Sequence, residues 1–166
     1  MSYLYTIKDT VIGPLTLIAD DCQLVDLSFG ELSDRQRESF TPLLKGENKI
    51  ILAAFKQIDE YFHHKRKQFT VPVNVKGTDF QKAVWNVLLN IPYGQTITYS
   101  DMGRILNRPN AQRAIGQACK ANRFPIIIPC HRVIGKNGKL TGYDGDKVSI
   151  KQVLLELEKE EENCRK

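Results

Sequence analysis

Residues 98–121 read TYSDMGRILNRPNAQRAIGQACKA. Thr98 or Ser100 can accept backbone N–H bonds and cap a short helix through Leu106. Asn107-Arg108-Pro109-Asn110 breaks that helix, because proline has no N–H and clashes with the preceding turn. Ala111 to about Ala121 then forms a second short helix, rich in small residues at Ala111, Ala114, Gly116 and Ala118. Two short helices joined by a tight polar turn predict a helix-turn-helix. The small residues fit two uses: close packing of helix on helix, or an approach deep into a nucleic-acid groove.

Upstream, Thr78 or Asp79 caps a helix to about Leu89 with Phe80, Val84, Val87 and Leu88 on one face, and Ile91-Pro92-Tyr93-Gly94 is a turn. Downstream lie the short apolar run Ile126–Ile128, the turn Gly135-Lys136-Asn137-Gly138-Lys139, and a last helix opened by Ser149 with Ile150, Val153, Leu154 and Leu157 on one face. Lys76-Gly77-Thr78 marks a boundary before which the pattern changes. Tyr3–Lys8, Leu15–Ala19 and Gln23–Phe29 read as an antiparallel meander. Glu31–Asn48 reads as a loop with a short helix near Asp34–Phe40. Lys49–Lys65 is helical, with a stripe at Ile51, Phe55, Ile58 and Phe62 ending in His63-His64-Lys65-Arg66-Lys67, cations that suit a helix C-terminus. Phe69–Val75 reads as a strand kept at a sheet edge by Pro72. The expectation is an α+β chain with an N-terminal domain, 1–76, and a mainly helical C-terminal domain, 77–166.

With 166 residues, 42% hydrophobic and 26% charged, the chain has the composition of a folded protein large enough for a core without staples. The start carries no basic-then-apolar leader and no run spans a bilayer, so a cytoplasmic protein without a membrane partner is expected. Net charge is +5, concentrated in residues 79–136, while the tail from Glu156 holds five glutamates in seven residues. A basic segment suits a polyanionic partner. Cys22, Cys119, Cys130 and Cys164 form no C-x-x-C pair and the histidines lack finger spacing, so no structural metal is expected. Cys22 and Cys119 read as small apolar residues.

Cys130 stands apart, followed by His131 and Arg132 after Ile126-Ile127-Ile128-Pro129. Attack by sulfur needs the thiolate, and a neighbouring base or cation supplies it. Pro129-Cys130-His131-Arg132-Val133-Ile134-Gly135 resembles the active-site signature of the O6-alkylguanine-DNA alkyltransferases, also called methylated-DNA–protein-cysteine methyltransferases. Gly77-Thr78-Asp79-Phe80-Gln81 with Val84-Trp85, Ile91-Pro92-Tyr93-Gly94-Gln95-Thr96 with Thr98-Tyr99, and Arg113-Ala114-Ile115-Gly116 with Asn122 extend the resemblance over Gly77–Glu158.

The resemblance implies a ribonuclease H-like N-terminal domain, a winged helix-turn-helix, and suicidal repair of double-stranded DNA carrying O6-alkylguanine, with O4-alkylthymine as a further lesion. It implies a monomer, no cofactor and one alkyl group per molecule. Cys130 would be the acceptor, His131 the base acting through water, and Glu158 its orienter. Helical period alone leaves Glu158 and Glu161 both open; the family register selects Glu158. Tyr99 would protonate the departing guanine and crowd the adjacent phosphate, Arg113 would fill the stack, and Asn122 would order the turn before the active-site strand. Ala111, Ala114 and Gly116 would face DNA, while Tyr143, Asp144 and Val133 would wall the pocket. The chain departs from the family at Asn122-Arg123, where Asn-Pro is common, and at Asp146, which breaks the usual glycine pair. Two other readings remain: a sensor that binds alkylated bases without repairing them, which Cys130 argues against, and a small-molecule cysteine hydrolase, which leaves the cationic helix pair without a purpose.

Overall fold

The alternating apolar residues that open the chain fold as a meander, in which β1 (Tyr3–Thr10) pairs antiparallel with β2 (Gly13–Ala19), and β2 with β3 (Leu24–Phe29). The computed structural model describes residues 2–138 and 148–164, with side chains of the closing helix described from Ile150 to Glu160. Contacts divide the chain into two units, Met1–Val75 and Lys76–Lys166.

In the first unit the β2–β3 turn closes where Asp20 Oδ1 accepts from the N–H groups of Cys22 (2.8 Å) and Gln23 (2.9 Å). The α1 helix (Asp34–Ser39) is held by a reciprocal capping box between Ser33 and Gln36. A strand that the polar composition of 31–48 conceals, β4 (Leu43–Lys45), pairs parallel with β1 and sets the order β3-β2-β1-β4. The α2 helix (Lys49–Phe62), capped by Asn48, buries Ile51, Ala54, Ile58 and Tyr61 and packs on β2. It stops three residues earlier than the sequence predicts, because His63 is the C-cap and His64 takes φ +60°. Cys22 is exposed, not a core residue.

The expected Phe69–Val75 strand is absent as a ladder. Only Val73 bridges to Leu24, flanked by Leu24 N–H to Pro72 O and Asn74 N–H to Leu24 O, each 2.8 Å. Pro72 has no N–H to extend the pairing, and Gln57 takes its place: its Oε1 accepts from Thr70 N (2.9 Å) and Val71 N (3.3 Å), and its Nε2 donates to Thr70 Oγ1 at 2.7 Å.

The second unit begins with α3 (Asp79–Leu89), capped by Thr78 in a capping box with Gln81. After the turn at Gly94 (φ +82°) come β5 (Ile97–Thr98) and α4 (Tyr99–Ile105), the latter capped by Thr98 and not by Ser100. The turn out of α4 needs Gly103, whose Cβ would lie 2.9 Å from the Arg108 carbonyl; the Arg108 N–H bonds Gly103 O at 2.7 Å across Asn107 (φ +58°). The α5 helix (Gln112–Lys120) packs on α3 and α4, completing the helix-turn-helix. After a single 3₁₀ turn (Cys130–Arg132), β6 (Val133–Ile134) pairs parallel with β5, setting Ile97 opposite Val133 and Thr98 opposite Ile134. Lys136–Gly138 forms a tight turn with Asn137 at φ +64° and Gly138 at φ +78°, within the turn expected at Gly135–Lys139, and α6 (Val148–Cys164) closes the unit. Among the described residues no helix is long and apolar enough to cross a membrane.

Because Gln57 alone supplies the acceptor for two N–H groups of the 69–73 segment, Gln57→Leu should destabilise the protein by about 1–3 kcal/mol in urea denaturation. A change below a few tenths would mean the segment is held by other bonds.

Candidate active site

The segment between α5 and the 3₁₀ turn is bent sharply enough to bury a thiol beside a base. Ile126, a β-branched residue, takes φ +77°, and the bend is closed by Ile128 N–H to Phe124 O at 2.8 Å. Asn122 ties the bend from inside: its Nδ2 donates to Ile128 O at 2.9 Å and reaches Cys130 Sγ at 3.3 Å, while its Oδ1 accepts from Phe124 N at 2.9 Å. Cys130 is 5% exposed and opens the 3₁₀ turn; it does not sit on a strand as the sequence reading placed it.

His131 is fully buried and its Nε2 lies 2.6 Å from Glu158 Oε2. Of the two acidic candidates on α6, Glu158 therefore contacts the histidine. Its carboxylate also receives Arg132 through Nε at 2.9 Å and Nη2 at 3.1 Å, and the Gly94 N–H at 3.2 Å. The remaining arm of Arg132, Nη1, donates to Ile91 O at 2.8 Å, and the guanidinium stands over the Tyr93 ring.

Burial drives the His131 pKa below its ordinary value, more strongly than Glu158 raises it, so the ring is neutral at neutral pH. Burial alone would raise the Glu158 pKa, but the hydrogen bonds from His131 and Arg132 and the Arg132 charge outweigh it and hold the carboxyl well below the usual range. With Glu158 ionised, Nε2 carries the proton and the equally buried Nδ1 carries the lone pair.

Lys151 was missed by sequence reasoning. It is 1% exposed, its Nζ donates to Val133 O, it lies over the Tyr99 ring, and burial lowers its pKa despite attraction to Cys130 and Cys119. The signal was available in α6: Lys151, Leu154 and Glu158 lie three and four residues apart, one face of a helix. Cys119 is buried, which pushes its thiol up to about 12.

Of the other candidates, Tyr99, Arg113 and Gly116 line an open cleft of about 530 Å³ together with Ser100, Gln112, Gln117, Lys120 and Lys136. Tyr99 and Arg113 share this cleft, and Asp101 pairs with Arg104. A Cβ added at Gly116 would meet nothing within 4 Å, and Ala114 is exposed, so these small residues line the surface. Ala111 is the half-buried N-cap residue of α5. Val133 is fully buried in the β5–β6 pair. Tyr143, Asp144 and Asp146 lie outside the described residues, as do Lys139 of the expected turn and the side chains of Ser149, Glu161 and Cys164.

Residues 79–160 match the family model described as 6-O-methylguanine DNA methyltransferase, DNA binding domain, and residues 3–75 match its ribonuclease-like domain. The constitutive methylated-DNA–protein-cysteine methyltransferase of Bacillus subtilis is 40% identical over 96% of this chain and 96% of its own length. That of Mycobacterium bovis is 42% identical over 93% of this chain and 92% of its own. The crystal structure of the Mycobacterium tuberculosis O6-methylguanine methyltransferase superposes with a TM-score of 0.85 at 39% identity, covering 95% of this chain and 93% of that one. The Mycobacterium tuberculosis OGT in complex with DNA gives 0.83 at 40% identity, covering 96% and 94%.

The buried pair sets an acid limit on stability. The unfolded His131 binds a proton near 6.5 that the native ring refuses, so stability should fall as pH drops through that value. It should fall again below about 4.5, where unfolded Glu158 takes a proton before the native carboxylate does. Thermal melting against pH checks this: His131→Asn should abolish the upper step and keep the lower one.

Proposed function

Since the chain belongs to the 6-O-methylguanine DNA methyltransferase family and acts in DNA alkylation repair, we propose that it extrudes an O6-alkylguanine from duplex DNA and moves the alkyl group irreversibly onto Cys130. The observation that carries this reading is a nucleophile and a neutral buried base adjacent in one 3₁₀ turn, the base held at 2.6 Å by an ionised carboxylate.

In this reading His131 Nδ1 takes the Cys130 proton through a water. The sulfur lone pair forms the new S–C bond, the O6–C bond breaks, and its electron pair remains on the guanine, which takes a proton from Tyr99. Tyr99 is made good by the proton His131 received, so thiol and alkylguanine become thioether and guanine. Glu158 stabilises the imidazolium without accepting its proton, because Arg132 keeps the carboxylate ionised. Asn122 steadies the sulfur with its amide.

A thiol this buried cannot reach O6 inside a stacked duplex, so the nucleotide must leave the stack at a cost of a few kcal/mol. Arg113, exposed on α5, would occupy the gap, and Lys120 and Lys136 of the same cleft suit backbone phosphates.

Cys130→Ser should bind duplex DNA bearing labelled O6-methylguanine yet take up no label, and the wild type should stop at one label per molecule by mass analysis of a titration with excess lesion. Turnover beyond that, or label on the serine variant, overturns the reading; bound but unchanged DNA with wild type indicates a sensor, and neither binding nor label a hydrolase. Arg113→Ala should slow repair in a stable duplex much more than attack on the free alkylated base, which needs no extrusion. Equal slowing on both would remove the finger role.

A further inference from the structure

The opening motif Gly77-Thr78-Asp79-Phe80-Gln81 with Val84-Trp85 takes no part in the chemistry above. Its tryptophan nevertheless reaches the end of α5, from which Asn122 extends to the thiol. In a helix that continued, the Ala118 carbonyl would accept from the N–H four residues on, at Asn122. Instead the Asn122 N–H turns to Cys119 O at 3.3 Å, and Ala118 O receives the Trp85 indole Nε1–H at 2.8 Å. Trp85 is 4% and Ala118 2% exposed, so water is not the alternative partner. Freed from the helix, Asn122 directs its amide to Ile128 O and Cys130 Sγ.

The indole is itself fixed. A Cβ at Gly77 would stand 2.6 and 2.7 Å from two carbons of its six-membered ring, so only glycine leaves the ring where it is. The Thr78–Gln81 capping box holds the start of the helix that carries it.

We propose that Trp85 is a positioning residue for the alkyl acceptor: its indole N–H caps the C-terminal end of α5 at Ala118, and this holds the Asn122 amide in reach of Cys130 Sγ. The link to repair rests on Cys130 being the acceptor; the coupling of Trp85 to the thiol does not. A buried indole N–H needs some partner in any core, so a role in packing alone must be told apart from control of the thiol.

The chain has a single tryptophan. Biosynthetic replacement by β-(3-benzothienyl)alanine, whose sulfur stands in place of the N–H, therefore alters Trp85 alone and keeps its shape. The readout is the rate at which iodoacetamide modifies Cys130 at neutral pH, followed by mass spectrometry of the Cys130 peptide, with melting temperature alongside. The analogue, Trp85→Phe and Asn122→Ala should each slow the reaction roughly 3- to 10-fold, the worth of one hydrogen bond. Combining the analogue with Asn122→Ala should slow it no more than Asn122→Ala alone. Methyl transfer from O6-methylguanine duplex should fall by the same factor. An analogue protein that reacts at the wild-type rate, effects that multiply, or an Asn122→Ala protein with an unaltered thiol would each overturn the proposal; should Trp85→Phe not fold, the analogue still decides. The iodoacetamide rate involves no DNA, so a wild type that reacts as expected but accepts no methyl group refutes the repair reading and leaves the positioning role standing.

Discussion

A carboxylate buried to 1% exposure, as Glu158 is, is tolerable only with its oxygens well supplied with donors. Among the described residues the His131 imidazole, two nitrogens of Arg132 and the Gly94 N–H reach it. Those donors come from two separated stretches of the chain and the carboxylate from a third, so the charge fixes the turn before β5, the 3₁₀ turn of Cys130 and the closing helix against one another. The same arrangement makes His131 a base with a defined tautomer, since the carboxylate claims the Nε2 proton. Stability and chemistry thus share one group: a neutral residue at 158 would leave the Arg132 charge buried without its counter-ion, a loss of about 3–5 kcal/mol in comparable pairs.

The short β5–β6 pair carries this order to the cleft. Setting Ile97 opposite Val133 places Tyr99, the first residue of α4, beside the segment that follows Cys130. Lys151 fills the space between, bonded to Val133 O and lying over the Tyr99 ring. A cation there would be attracted by a thiolate at Cys130, but burial outweighs that attraction and lowers the Lys151 pKa.

The N-terminal unit satisfies buried polar groups in the same manner without any nucleophile beside a base. Asp26, 1% exposed, receives the Gln36 amide at 2.6 Å, and that amide also reaches Ser28 Oγ at 2.8 Å. This ties α1 to β3 and explains why a short polar helix sits stably on the sheet.

By itself the sequence determined the elements whose signals are local. The helix starts at Thr78 or Asp79 and at Thr98 or Ser100, the break at Asn107–Asn110 and the apolar period of α2 each act within a turn or two, so spacing sufficed to read them, while the structure chose Thr78 and Thr98 as the caps. The Cys130–His131 pair was legible for the same reason, and the motif around it pointed to the family. Tertiary structure decided what depends on partners distant in the chain. Residues 69–75 carry strand-forming residues, yet Gln57 and one bridge hold them where a ladder was expected. Three residues in a polar stretch became β4 because β1 offered a free edge. Glu158 was separated from Glu161 by its 2.6 Å contact with His131, Lys151 was shown to be buried by the carbonyl and ring that enclose it, and of the small residues of α5 Ala114 faces outward while Ala118 is buried. Helical period shows which residues share a face but not which charge on it is buried: that is set by the hydrogen-bond partners the fold brings to it, a property of the assembled chain.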